Sequence, residues 1–215
     1  MAITRIITPS ITDDAVDNTK LDLASNYAFT GTVSGAGSHE KLHSITASNG
    51  DSDITFSSTY LTSTYNKYFF TFENILPTND SNYFIARLSF DNGNSYKTTD
   101  YKRVSFEGQE NNQTNFLNAN YSTGDSYMMI TGAPATMGNE TDESFNGVAY
   151  FHNTTTDYKS INFMGQYHFN GNQFVGVYSV HQVHSNRTDK CNNIKFYFNS
   201  GTVKSGKITL YGVRQ

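Results

Sequence analysis

Residues 67–77 read Lys67-Tyr68-Phe69-Phe70-Thr71-Phe72-Glu73-Asn74-Ile75-Leu76-Pro77. Tyr68, Phe70 and Phe72 alternate with Phe69, Thr71 and Glu73, and Pro77 ends the run. A side-chain period of two places the first trio on one face of a strand. Aromatic and β-branched residues fit a pleated, half-buried surface, so the run predicts a strand with an aromatic core face.

The same pattern recurs along the chain. Phe84, Ala86, Leu88 and Phe90 share one face of a run from Tyr83 to Phe90. Further strands are expected at 103–106, 127–131, 145–151, 158–168, 174–183, 194–198 and 207–213, with Ile194, Phe196, Phe198, Ile208 and Leu210 inward. Turn clusters separate them: Thr78-Asn79-Asp80-Ser81, Asp91-Asn92-Gly93-Asn94, Asn153-Thr154-Thr155-Thr156, Asn170-Gly171-Asn172 and Asn199-Ser200-Gly201. Many short strands without an intervening helical pattern predict an all-β, antiparallel β-sandwich, jelly-roll-like in kind. The stretch from Gly108 to Ser126 has no evident period. It is expected to be a long loop and the first choice for a contact surface.

Residues 1–38 differ from the rest. Ile6, Ile7, Ile11, Val16, Leu21 and Leu23 are isolated apolar positions, and Ser34-Gly35-Ala36-Gly37-Ser38 reads as a hinge. The expected organisation is a short, largely extended N-terminal arm over 1–38 and a β-sandwich domain over 39–215. Such an arm finds shelter for its apolar side chains on a partner or another copy.

Composition narrows the function classes. The chain has 215 residues, with 16 Phe, 15 Tyr, no Trp and three Pro; only 16% are charged, and the net charge is −4. No Lys/Arg block is present to neutralise a phosphate backbone, so no nucleic-acid partner is expected. No run of eighteen apolar residues exists, so no membrane insertion is expected. Met1-Ala2-Ile3-Thr4-Arg5 lacks the apolar stretch of a secretion signal, and a lone cysteine forms no internal disulfide; folding in a reducing cytoplasm is expected.

The residues of chemical interest each carry a plainer explanation. His181 and His184, three apart on a strand, face opposite sides; His39 and His43 sit beside the hinge with Glu40 nearby. Zinc needs three or four converging ligands, so these read as surface or interface histidines. Lys190 beside Cys191 is of the kind that lowers a thiol pKa, but no base or orienting group accompanies the pair, and a loop or strand-start cysteine is the plainer reading. Asp142 with Glu143, Asp51 with Asp53, and Glu107 with Glu110 are the carboxylate pairs to weigh for glycoside cleavage. Nothing marks them as lining a groove. Ser89 to Tyr96 resembles an Asp-box turn and reads as a hairpin. The sequons at Asn79, Asn112, Asn120, Asn139, Asn153 and Asn186 arise by composition. No catalytic residue, metal or cofactor is expected.

Two sets of phrases carry a family resemblance. Ala2-Ile3-Thr4-Arg5-Ile6-Ile7-Thr8-Pro9-Ser10-Ile11, then Asp13-Asp14-Ala15-Val16, Thr19-Lys20-Leu21 and Phe29-Thr30-Gly31-Thr32-Val33-Ser34-Gly35, resemble the opening of tailed-bacteriophage fibre and virion proteins. Ile54-Thr55-Phe56, the run from Tyr65 to Ile75, the Asp91–Tyr96 turn and the closing Ile194–Val213 segment resemble small phage structural proteins, many from marine phages. The resemblance implies a virion protein without catalysis: a tail-associated fibre or receptor-binding protein, or alternatively a capsid decoration protein. A glycan-degrading tail enzyme is a further alternative. The resemblance implies an arm that docks on other virion proteins, here through Ile6, Ile7, Ile11, Val16 and Leu21, and a homotrimer; loops rich in Asn, Tyr and Ser suit a host cell-surface glycan as the bound partner. Tyr167, Phe169, Tyr178 and Tyr197 are the aromatics expected at subunit contacts.

Overall fold

A computed structural model describes residues 38–110, 116–131, 136–156, 158–169, 173–184 and 189–214. The arm up to Gly37, with its six apolar positions, lies outside the described residues. Every regular element among those described is a strand: β1 His39–Thr46, β2 Ile54–Phe56, β3 Lys67–Pro77, β4 Phe84–Ser89, β5 Tyr101–Gln109, β6 Phe116–Asp125, β7 Met128–Met129, β8 Phe145–His152, β9 Tyr158–Phe169, β10 Gln173–His184, β11 Asn193–Phe198 and β12 Val203–Val213. They form an eight-stranded sheet in the order β1-β12-β3-β8-β9-β10-β5-β6 and a four-stranded sheet in the order β2-β11-β4-β7. All pairings are antiparallel. The two sheets pack as a β-sandwich, as the alternation predicts. Eight strands against four is a lopsided sandwich, and the likeness to a jelly roll stays at this two-sheet level.

Phe72 of β3 lies at the centre of the core. Its ring centroid stands 5.3 Å from Phe196, 5.7 Å from Phe145, 5.9 Å from Phe84 and 6.1 Å from Phe163, joining five strands in both sheets. Most of these contacts are edge-to-face or tilted, the arrangement favoured by the ring quadrupole. Tyr68, Phe70 and Phe72 are all buried, as the opening run implies. The alternation then breaks. A register shift between Phe72 and Ile75, with Asn74 at φ 51°, makes a β-bulge. Beyond it Ile75, Leu76 and Pro77 are buried together, so Pro77 is the last residue of the strand.

Two glycines allow this packing. Gly147 and Gly165 face each other on β8 and β9. A Cβ on Gly165 would lie 2.5 Å from the Phe145 ring and 2.6 Å from the Asn146 carbonyl oxygen. The ring occupies the volume their missing side chains leave open.

The 108–126 stretch corrects the expectation of a loop. It contains the end of β5 and the whole of β6, which is the edge of the large sheet. Leu117, Ala119 and Tyr121 alternate with Asn118, Asn120 and Ser122, a period of two hidden by the Asn, Ser and Gly content. The Ser89–Tyr96 turn is also not a hairpin, because β4 belongs to the small sheet and β5 to the large one. Its internal bonding is nevertheless that of an Asx turn. Asp91 Oδ1 accepts from the Ser95 amide at 2.9 Å and the Ser89 hydroxyl at 2.7 Å, and Gly93 sits at φ 85°.

Glycines in different surroundings should respond in opposite ways. Gly165→Ala is expected to lose more than about 1 kcal/mol in denaturant unfolding through overpacking. Gly176→Ala, with nothing within 4 Å of the added Cβ, is expected to stay within about 0.5 kcal/mol of the parent. Equal losses would show that Phe145 does not need the vacant volume.

Candidate interaction surface

The large sheet changes character along its width. From β12 through β9 the side facing the small sheet is apolar: Leu210, Phe70, Ala149 and Phe163 lie in one cross-strand row. The same row continues as Ser179 on β10, Ser105 on β5 and Asn120 on β6. Adjacent rows end in His181, Arg103 and Ser122, and in Val177, Glu107 and Asn118. Ser105, Glu107, Gln109, Ser179 and His181 are buried there.

The apolar side chains of β5 and β6 instead point outward. Val104, Phe106, Leu117 and Tyr121 are exposed, with Leu117 at 73% and Tyr121 at 83%. Across the outer face one row runs Tyr150, Asn162, Val180, Val104 and Tyr121, and the next runs Val148, Met164, Tyr178, Phe106 and Ala119. Met164 is 58% exposed and Tyr178 is 42% exposed. In the row beyond, Gly176 pairs with Gly108, and Gly108 with Leu117. The two glycines leave bare backbone open to approach. The two apolar rows contain no charged residue. A strand with one buried face ordinarily directs its apolar set inward; β5 does the reverse.

The small sheet presents a different outer surface. The Lys195 ammonium lies 4.3 Å from the Tyr96 ring centroid and 4.9 Å from that of Tyr197, and Arg87 covers Tyr197 at 5.7 Å. These are cation–π contacts. Tyr197 is therefore half-buried under cations.

The aromatics expected at subunit contacts separate accordingly. Tyr178 lies on the exposed apolar face. Tyr167 is corrected, being 1% exposed on the core side of β9, and Phe169 packs partly against the core. Sequence reading missed Val104, Phe106, Leu117, Tyr121 and Met164 as surface residues. The available signal was the alternation in Tyr101–Gln109, in which apolar and polar positions are equally regular and only the fold decides which set faces out.

Titratable residues serve local structure. His181 and His184 do face opposite sides, but His181 is wholly buried, which corrects its assignment to a surface or interface. Its Nε2 lies 3.3 Å from the Ser179 hydroxyl, and its ring meets Phe163 edge-on. Burial first, and then the Arg103 charge, depress its pKa from 6.5 to about 3. His43 stacks on Tyr60 at 4.0 Å, while Glu40 accepts from Tyr65 Oη and Arg214 Nη2, each at 2.8 Å. Among the described residues no group of three or more His, Cys, Asp or Glu is arranged to hold a metal ion.

Cys191 is buried as well, and burial pushes its thiol up to about 12. The lowering influence of Lys190 does not operate, because Lys190 Nζ donates to the Ser63 and Tyr65 carbonyls at 2.7 and 3.1 Å. Asn153, one of the sequon residues, clamps the Cys191 backbone: its Nδ2 donates to the Cys191 carbonyl at 2.7 Å and its Oδ1 accepts from the Cys191 amide at 2.8 Å. Of the carboxylates, Asp51 accepts from the Ser48 amide, Asp53 from the Thr55 hydroxyl, and the buried Glu143 from the Glu140 amide. Glu107 is buried on the core side while its partner in the proposed pair, Glu110, is exposed.

Two measurements check this chemistry. Cys191 is expected to resist a thiol reagent until denaturant unfolds the chain; rapid labelling of the native protein would contradict its burial. For His181, the unfolded chain binds the proton first on acidification, so the stability contributed by a neutral imidazole is complete above pH 6.5 and drains as pH falls towards 3. Denaturant midpoints are expected to drop between about pH 7 and about pH 4, and His181→Met to flatten that slope by up to about 1.4 kcal/mol per pH unit. An unchanged slope would remove His181 as the source. Comparison of the chain with known proteins finds no matching family model, no matching curated protein and no matching solved structure.

Proposed function

We propose that this chain is a non-catalytic structural protein of a tailed-bacteriophage particle, a tail-associated fibre or receptor-binding protein. The observation that carries the assembly part of this reading is the uncharged apolar face on β9, β10, β5 and β6. An exposed apolar patch as large as the largest that monomers carry is often a contact site. The phage part rests on the resemblance of the opening and closing phrases to virion proteins.

In this reading Ile6, Ile7, Ile11, Val16 and Leu21 bury apolar surface on a neighbouring virion protein, each worth roughly 1.5–3 kcal/mol when fully sheltered. Several copies acting together add multivalency. The β body faces the host, where Asn-, Ser- and Tyr-rich loops offer adaptable hydrogen bonds and rigid rings to a cell-surface glycan.

Deleting residues 1–25 is expected to leave a soluble β body that no longer enters particles of the phage encoding it. Truncated chain recovered on purified virions at wild-type copy number would defeat the docking-arm reading. Copy number of the full chain separates the tail role, with few copies, from head decoration, with many. New reducing ends released from host polysaccharide would instead make the chain a tail hydrolase.

A further inference from the structure

We propose that the outer face of β9, β10, β5 and β6 is the surface through which one copy of this chain packs on another. The reversed polarity of β5 and β6 is the first ground. Ser105, Glu107 and Gln109 occupy the sheltered side while Val104 and Phe106 stand in water. Shifting the register by one residue would exchange those sets, yet the strand is held as it is along nine paired positions with β10. An arrangement that places the apolar set outward is consistent with burial outside the subunit.

Area is the second ground. Val104, Phe106, Leu117, Tyr121, Met164 and Tyr178 are between 42% and 83% exposed. With large side chains offering about 150–250 Å² each, they leave on the order of 600 Å² of apolar surface in water. That stands at the upper end of the ~300–600 Å² that the largest patch of a monomer shows. It also supplies most of the ~800 Å² per partner that a stable dimer buries.

The identity of the occupant follows from chemistry and shape. The two apolar rows themselves carry no charge; Gln166 borders them on one side, and Gln182 with the exposed Lys102 borders them on the other. Rows of uncharged apolar side chains are complementary to themselves, as a two-fold contact between identical subunits requires, whereas the homotrimer implied by the resemblance would bring two different patches together. Gly108 and Gly176 form a floor of bare backbone beside Phe106 and Tyr178, and a side chain of the opposing copy fits there.

The two edges of the sheet support the same assignment. The edge formed by β1 carries Glu40 and Lys41 and is broken by a register shift at Lys41/His43. Such charges and irregularities keep edges from pairing. The edge formed by β6 carries one charged residue, the terminal Asp125, beside its own register shift at Tyr101/Lys102; from Phe116 to Thr123 it has neither charge nor proline, and that length is where the second copy would cover it.

The assignment builds on the assembly role proposed above but fails separately from it. Chain that self-associates yet is missing from particles refutes that role alone; chain found in particles yet single in solution refutes this assignment alone. The test is sedimentation equilibrium of the full chain up to about 0.1 mM, with Tyr121→Lys and Met164→Lys combined. Both residues are exposed, so native-like melting of the variant is the control. The wild type is expected at a multiple of 24.0 kDa, and the double variant is expected to weaken association by about a hundredfold or more. A wild type that sediments as one copy throughout, or a folded double variant that associates as tightly as the parent, overturns the proposal.

Discussion

The fold depends on one aromatic contact set, the rings gathered around Phe72. β3 brings Phe70 and Phe72 from the large sheet, and β4 and β11 bring Phe84 and Phe196 from the small one, with centroids 5.3–6.3 Å apart. Ring-on-ring packing between sheets sets their separation and tells each strand which face is inside. The glycines of β8 and β9 follow from it, since Phe145 reaches Phe72 only by lying over Gly147 and Gly165. The bulge at Asn74 follows too: the strand must bend to bury Ile75, Leu76 and Pro77 after six residues of strict alternation, Lys67 to Phe72.

The neutral polar richness of the chain does a separate job around that core. Asn82 Oδ1 accepts from the Ser200 amide while its Nδ2 donates to the Asn79 carbonyl. The Thr78 hydroxyl exchanges hydrogen bonds with the Thr202 backbone. Asn153 holds Cys191, and Asn193 accepts from Tyr96 Oη at 2.7 Å. Short amide and hydroxyl side chains satisfy backbone groups that leave the sheet ladders at strand ends, where an unmade bond in a buried place costs about 1–3 kcal/mol. Charge is not needed for this, which accounts for a chain with many polar but few ionisable residues.

On the far side of the large sheet the inside and outside of the molecule exchange character. The small sheet has four strands and the large one eight, so the aromatic core ends before the large sheet does. Past β9 the sheltered rows mix Val175, Val177, Val183 and Tyr101 with Ser, Arg, Glu and His, and the outward rows carry Val, Phe, Tyr and Leu. In the assembly proposed above, that reversal supplies an interface carried on rigid strands.

The sequence was informative where local rules act alone. Alternation at Tyr68–Phe72, at Ile194–Phe198 and across Phe174–Val183 marked strands, because a period of two is written into side-chain order whatever the partner. Asp91 with Ser95 marked an Asx turn for the same reason, its bonds spanning four residues. β6 was missed because its apolar residues are spaced among Asn and Ser, and an exposed edge needs no strong hydrophobic signal to pair with β5. The burial of His181, Tyr167 and Cys191 was also out of reach, since a single strand cannot say which of its faces meets the other sheet. The amino-acid order by itself determined that this is a chain of antiparallel strands around aromatic residues. Only the tertiary structure decided that the apolar rows of β5 and β6 face water, because inward and outward are defined by long-range pairing between strands far apart in sequence, and no local pattern contains that choice.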